Sequence, residues 1–157
     1  MSKIAPCLWF AREAEEAANF YVSLFPDSRI DHVQKNIVDT PAGKPDEVLV
    51  VNFTLAGQRF MALNGGSRIE FNHAISLEID CADQAEVDRL WDGLCIGGTP
   101  VECGWVTDRY GVSWQVVPTV LGKYIADPAP AKAARVMRAM MQMAKLDIAG
   151  LEAAYRG

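Results

Sequence analysis

The sequence predicts an α+β fold made of two βαβββ modules and a C-terminal helical extension. Three observations lead there. Strand-like and helix-like stretches recur in the same order in the two halves, without obvious identity between them, and a repeat of this kind determines a whole fold. The strand candidates are rich in β-branched and aromatic residues, while the helix candidates carry apolar residues at a period of about 3.6. A tail rich in Ala and Met, opened by Asp127-Pro128-Ala129-Pro130, has helical spacing only.

The first module opens with IAPCLWF, a strand. AEEAANFYVSLF follows as a helix, with Ala14, Ala17, Ala18, Tyr21, Leu24 and Phe25 on one side and Glu15, Glu16 and Asn19 on the other. Pro26 and Asp27 stop it. Residues 28–37 alternate weakly as a strand, and 38–46 are a loop marked by Pro41, Gly43 and Pro45. EVLVVNFTL is the strongest strand signal. Ala56-Gly57-Gln58 turns the chain into the partner strand RFMALN, and Gly65-Gly66 closes the module.

The second module opens with the strand HAISLEIDC, where Ile75, Leu77 and Ile79 alternate with Ser76, Glu78 and Asp80. Asp83 is a predicted helix N-cap with Glu86 three residues on. Val87, Leu90, Trp91 and Leu94 then stand at i, i+3, i+4 and i+7, and Gly97-Gly98 ends the helix. Short strands are predicted near 100–108 and over 112–117, with Trp105 and Trp114 on adjacent strands and packed together. In the tail, proline fits the first turn of a helix. Ala133, Met137, Met140, Met141 and Ala144 form its predicted apolar stripe, and Asp147 caps a last helix from Ile148 to Tyr155.

The chain has 157 residues, half of them hydrophobic, so a core can form without covalent staples. A net charge of -5 argues against nucleic acid, which needs a basic face. The start MSKIAPCLWF does not read as a signal peptide, and no apolar stretch approaches the roughly 18–20 residues of a membrane span. A cytoplasmic location is expected, with no membrane partner. Cys7, Cys81, Cys95 and Cys103 form no C-x-x-C pair and are expected as small buried hydrophobes.

The segments PCLWF…AEEAANFYVSLFPDS, FTLAGQRFMALNGG and CGW…DRYGVSWQVVP, with the tail DPAPAKAARVMRAMMQMAKLDIAGLEAAY, resemble the PhnB-like branch of the glyoxalase, or vicinal oxygen chelate, superfamily. Some members of that branch carry the label demethylubiquinone methyltransferase-like. The resemblance covers essentially the whole chain. It implies a glyoxalase-like domain over residues 1–126, with modules at about 1–66 and 72–118, and the helical extension over 127–157. It also implies a homodimer.

In metal-dependent members of the superfamily, four strands curl into a cup and each supplies one ligand to a divalent ion, which polarises substrate oxygens. Carried onto this sequence, those positions fall at Ala5, Ala62, Ala74 and Gln115. Three alanines and an amide cannot hold such an ion, so no cofactor is expected. His73 stands one step from Ala74, but a one-residue slip in a strand turns a side chain to the other sheet face. His73 is therefore only a weak metal candidate, and His32 is the sole other histidine.

The residues in phase with the lost ligand positions are Cys7, Trp9, Phe60, Asn64, Ser76, Glu78, Ser113 and Gln115. Aromatic walls with a few polar groups are the make-up of a small-molecule pocket. The expected function is small-molecule binding in a metal-free cup. Three alternatives stand beside it. One is a vicinal-oxygen-chelate enzyme, metal-dependent or using Glu78 as a base. Another is an interaction module whose cup is filled by its own side chains. The methyltransferase of the family label is the last, although Ala11-Arg12-Glu13 stands where a glycine-rich cofactor turn would follow the first strand. Cys7 is a minor candidate nucleophile.

Overall fold

The computed structural model describes residues 2–157 and divides into two compact units, the first ending at Glu70 and the second running from Phe71 to Gly157.

In the first unit the order is β1 (Cys7–Phe10), α1 (Ala14–Leu24), β2 (Arg29–Lys35), β3 (Val48–Leu55) and β4 (Gln58–Asn64). The sheet runs β1-β4-β3-β2, with β1 parallel to β4 and the other pairs antiparallel. Helix α1 buries Ala14, Ala17, Ala18 and Tyr21. The three small side chains let it lie close to the sheet, and Tyr21 stacks on Phe53, which stacks on Phe60 at 5.5 Å. The β3–β4 hairpin turns on Ala56 and Gly57, both at positive φ, as the two-residue type I′ geometry requires.

No side chain within α1 caps its first turn. Asn64, fifty residues away at the end of β4, does so instead. Its Oδ1 accepts from the Ala14 N–H at 2.9 Å, and its Nδ2 donates to the Val48 carbonyl at 3.0 Å. Asn64 is buried, so Asn64→Ala orphans a helix donor and a strand carbonyl. The expected loss is about 2–3 kcal/mol in urea unfolding; a loss below about 0.5 kcal/mol would contradict this bracing role.

The second unit repeats the pattern with β5 (Ser76–Cys81), α2 (Gln84–Cys95), β6 (Thr99–Pro100), β7 (Trp105–Thr107) and β8 (Ser113–Pro118), ordered β5-β8-β7-β6. Again the first strand runs parallel to the last. The predicted cap of α2 is present: Asp83 accepts from the Glu86 N–H, while Glu86 reaches back to the N–H of Ala82 rather than to that of Asp83. Val87, Leu90, Trp91 and Leu94 are buried, the same spacing as in α1. The paired modules read in the sequence are thus present as two four-stranded mixed sheets, each with one helix.

The second unit continues into α3 (Thr119–Ile125), α4 (Pro130–Met140) and α5 (Ile148–Arg156). Helix α3, which no apolar periodicity in the sequence announces, starts directly after Pro118 and contains Gly122. The predicted apolar stripe of the tail needs correction. Helix α4 ends at Met140, so Met141 and Ala144 lie outside it, and Met137 and Met141 are 44% and 50% exposed. The core here is Leu121, Val136, Leu146 and Leu151, with Met140 and Met143 packed against it. The chain turns after Met140 because residues 143–148 are stitched to the rest of this unit. Cys103 and Gly104 donate to the carbonyls of Met143 and Ala144, and Gln84 holds both Leu146 O and Ile148 N. Lys145 pairs with Asp88 at 3.1 Å.

The end of the chain is latched by Tyr155, whose hydroxyl donates to Asp127 at 2.5 Å and whose ring stacks on Tyr124 at 4.5 Å. The Tyr155 bond holds the Asp127 carboxyl below its usual range, and the same bond raises the Tyr155 phenol. A lowered acid stabilises above its unfolded pKa and loses that effect as pH falls through the folded value; a raised phenol loses its effect as pH rises through its folded value. Protection of the α5 amides, taken as exchange relative to the intrinsic rate at each pH, is therefore expected to be greatest between about pH 4 and pH 10. Tyr155→Phe should flatten the profile, and an unchanged profile would contradict the latch.

Candidate functional site

Residues facing each other across adjacent strands share a sheet face. In the first unit, Leu8, Phe10, Val51, Phe53, Phe60, Ala62 and Asn64 form the buried set on the side of α1. The opposite, open face carries Cys7 beside Met61, Trp9 beside Leu63, then Val50, Asn52 and His32. This corrects the predicted grouping. Cys7 and Trp9 are on the open face, but Phe60 and Asn64 lie beneath α1, as does Ala62. Phasing β4 from Ala62 put the wrong alternate residues forward; Met61 and Leu63 are the ones that face outward. The register of a parallel β1–β4 pair, which the sequence does not display, was the missing information.

Trp9 is pinned on this face by its indole N–H, which donates to the Ser67 carbonyl at 2.7 Å. A Cβ on Gly65 would stand 1.9 Å from the Trp9 ring, so glycine is what lets the ring lie there. Cys7 is exposed, contrary to the expected burial, and Cys95 and Cys103 are only half-buried; Cys81 alone is buried. Desolvation pushes the Cys7 thiol up and the Cys81 thiol up to about 12, which keeps both protonated and works against a nucleophilic role.

In the second unit, Leu77, Ile79, Cys81, Val106, Trp114 and Val116 share one face, and the closely packed ones among them meet α2. Trp105 and Trp114 thus point to opposite faces and do not pack together. Trp114 is buried, and its indole N–H donates to Asp108 at 2.8 Å. The opposite face carries Ser76 beside Ser113, Glu78 beside Gln115, Asp80 beside Val117, and Trp105 and Thr107; at its far end Val117 packs against the C-terminal core, which leaves the rest of the face open. All four of the predicted second-module residues, Ser76, Glu78, Ser113 and Gln115, lie here on one face.

His73 joins them. Strand β5 begins only at Ser76, and His73 sits in the turn before it, where strand alternation does not govern its side chain. Its Nδ1 is 2.7 Å from the Ser113 hydroxyl, and its ring meets Trp105 edge-on at 6.0 Å. One row along, the Gln115 side chain donates to the Ser76 hydroxyl at 2.8 Å. The open face of the second unit is therefore an organised polar surface beside an aromatic ring: His73, Ser113, Ser76, Gln115 and Glu78, with Trp105. Asp108 shapes it from behind and was not singled out in the sequence. The stretch Asp108-Arg109-Tyr110-Gly111 does carry the turn signal that could have found it.

The donor set does not fit the divalent ion of the metal-dependent superfamily members. No three His, Cys, Asp or Glu side chains come together as a metal site among the described residues. His73 engages Ser113 through Nδ1, its nearest open-face neighbours are serines and an amide, and the carboxylates of Glu78 and Asp80 on the same face do not gather with it into a set of three ligands. Two clefts lie away from these faces. One of about 610 Å³ is lined by Arg12, Glu15, Lys35, Glu47 and Asn64, and one of about 480 Å³ by Asp83, Gln84, Asp147 and Glu152.

Two mixed sheets of the same strand order, each backed by one helix, define a glyoxalase-like protein, and the PhnB-like branch is the part of that superfamily to which this one corresponds. The chain belongs to the family described as 3-demethylubiquinone-9 3-methyltransferase, whose model matches residues 2–117. Helices α3, α4 and α5 begin beyond the matched segment. The chain is similar to a structure described as a putative 3-demethylubiquinone-9 3-methyltransferase, PhnB protein, from Bacillus cereus, with 33% identity and a TM-score of 0.69 over 75% of this chain and 100% of that one. It shares its fold with protein PA1353 from Pseudomonas aeruginosa, at 21% identity and a TM-score of 0.57 over 75% and 98% of the two chains. No curated protein matches.

Proposed function

We propose that this PhnB-like protein binds a small organic molecule on the open face of its second sheet, without a metal ion. One observation carries the reading: the linked pairs His73–Ser113 and Gln115–Ser76 stand beside the half-buried Trp105 on the sheet face that α2 leaves free. Hydrogen-bonding groups held in place beside an aromatic wall are what a ligand site needs. Glu78 lies in the same row as Gln115 and supplies a carboxylate.

The methyl-transfer activity in the family's description finds no support in the local structure. Residues Ala11-Arg12-Glu13 follow β1 in place of a glycine-rich turn, and both sheets are mixed rather than built from repeated parallel βα units. A homodimer and a cytoplasmic location belong to the same proposal. Exposed Ile4, Ile37, Ile69 and Ile75 supply apolar surface for pairing, and four unpaired cysteines suit a reducing compartment. No helix among the described residues is long and apolar enough to cross a membrane.

The test is a fragment screen by two-dimensional NMR in the presence of chelator. Hits are expected to shift the Trp105 indole, His73 and the Gln115 side-chain amide together. Binding that requires added nickel, zinc, manganese or iron(II), and that is lost in His73→Ala, would replace this reading with a metal-dependent one.

A further inference from the structure

The hydrogen-bonding direction at His73 follows from the burial of its partner. Ser113 is 1% exposed, and His73 Nδ1 is the one side-chain partner of its hydroxyl among the described residues. A buried O–H that donates to nothing costs about 1–3 kcal/mol, whereas an oxygen that accepts no further bond costs less. The Ser113 proton therefore points to Nδ1. Nδ1 is the acceptor, and in the neutral ring the proton sits on Nε2. Nε2 has no hydrogen-bond partner among the described residues, so His73 presents an N–H donor.

The rest of the face sorts by the same accounting. Ser76 Oγ accepts from Gln115 Nε2, which frees the Ser76 proton to donate. One Nε2 hydrogen of Gln115 is taken by Ser76, and Gln115 Oε1 is an acceptor beside the Glu78 carboxylate. The row of Ser76 and Ser113 thus offers two donors, the Ser76 hydroxyl and His73 Nε2–H, since the Ser113 proton is held by Nδ1. The row of Glu78 and Gln115, about 7 Å further along the strands, offers acceptors in excess: the Glu78 carboxylate and Gln115 Oε1 against one remaining amide hydrogen. Asp80 follows Glu78 on the same face, and none of the open-face strand positions named above is Lys or Arg. Trp105 stands beside Gln115 in the acceptor row, and its ring reaches the His73 ring at 6.0 Å.

We infer that this face takes a flat, uncharged molecule with an acceptor oxygen and a hydrogen-bond donor, as in a primary amide on an aromatic ring, and rejects the isosteric carboxylate. The amide oxygen accepts from His73 Nε2–H or Ser76, and its N–H group donates toward Gln115 Oε1 and Glu78. A carboxylate of the same shape has nothing to donate to the acceptor row and meets Glu78 and Asp80 with like charge. This inference rests on the binding reading above and specifies its ligand class.

The test uses benzamide and benzoate as matched probes on the full chain at pH 7.5, read by the shifts of the Trp105 indole and the His73 ring. Benzamide is expected to bind about tenfold or more tightly than benzoate, the scale of one lost hydrogen bond plus like-charge repulsion. Glu78→Gln should narrow that gap. The free protein should show His73 with its neutral proton on Nε2 in long-range nitrogen–proton correlation spectra. Benzoate binding as well as or better than benzamide, or a neutral proton on Nδ1, would overturn the ligand class and leave the binding site standing. If the broader fragment screen also finds nothing at Trp105, the binding reading falls with it.

Discussion

Asp108→Ala is expected to destabilise the protein by about 3–5 kcal/mol, the largest single effect named here. Asp108 is 3% exposed and sits at the turn between β7 and β8. Its Oδ1 accepts from the N–H groups of Tyr110 and Val112 at 2.8 and 3.1 Å, and its Oδ2 from the Trp114 indole at 2.8 Å. Removing the carboxylate orphans three donors, two of them on the turn that sets the β7–β8 register. That register is what places Trp105 opposite Gln115 and Thr107 opposite Ser113. Asp108→Asn keeps the size and part of the bonding and should recover about half of the loss. Chemical unfolding of the three proteins measures this. A loss below about 1 kcal/mol for the alanine variant would show that water or backbone shifts replace these bonds.

The second large effect concerns binding. Trp105→Ala is expected to weaken any ligand of the second sheet's open face by roughly 30-fold, the usual cost of losing a central aromatic contact of about 2 kcal/mol. Trp105 is half-buried and faces away from α2, so its removal should leave the fold intact. Titration of a fragment hit into both proteins, with thermal unfolding as the control, separates the two effects. Unaltered affinity in the variant would move the ligand away from this face.

Much of the architecture was legible in the sequence because two helices carry the same buried spacing. Ala14, Ala17, Ala18 and Tyr21 in one module match Val87, Leu90, Trp91 and Leu94 in the other, and each set sits between strand signals in the same order. What was not legible depended on pairing between distant segments. The alternation in RFMALN shows that two faces exist, but only the alignment of Cys7 with Met61 shows which of them joins Trp9. Alternation alone therefore permits Phe60 and Asn64 on the open face, whereas the β1–β4 register puts them under α1.

His73 illustrates the opposite limit. Read as part of a strand, it is turned away by alternation; standing in a turn, it reaches Ser113, which is distant in sequence. The tail failed for a third reason. Its methionines keep helical spacing past Met140, but the contacts that end α4 come from Gln84, Cys103 and Gly104, remote from the tail in sequence.

The central claim is that the second sheet's open face is a ligand site that works without metal. The most direct measurement is the NMR shift map of a diverse fragment set on chelator-treated protein, repeated after equilibration with divalent ions. The account predicts one cluster of shifted signals at His73, Trp105, Ser113 and Gln115, unchanged by the ions. Hits confined to other surfaces, or a cluster that forms only when metal is present, would contradict it.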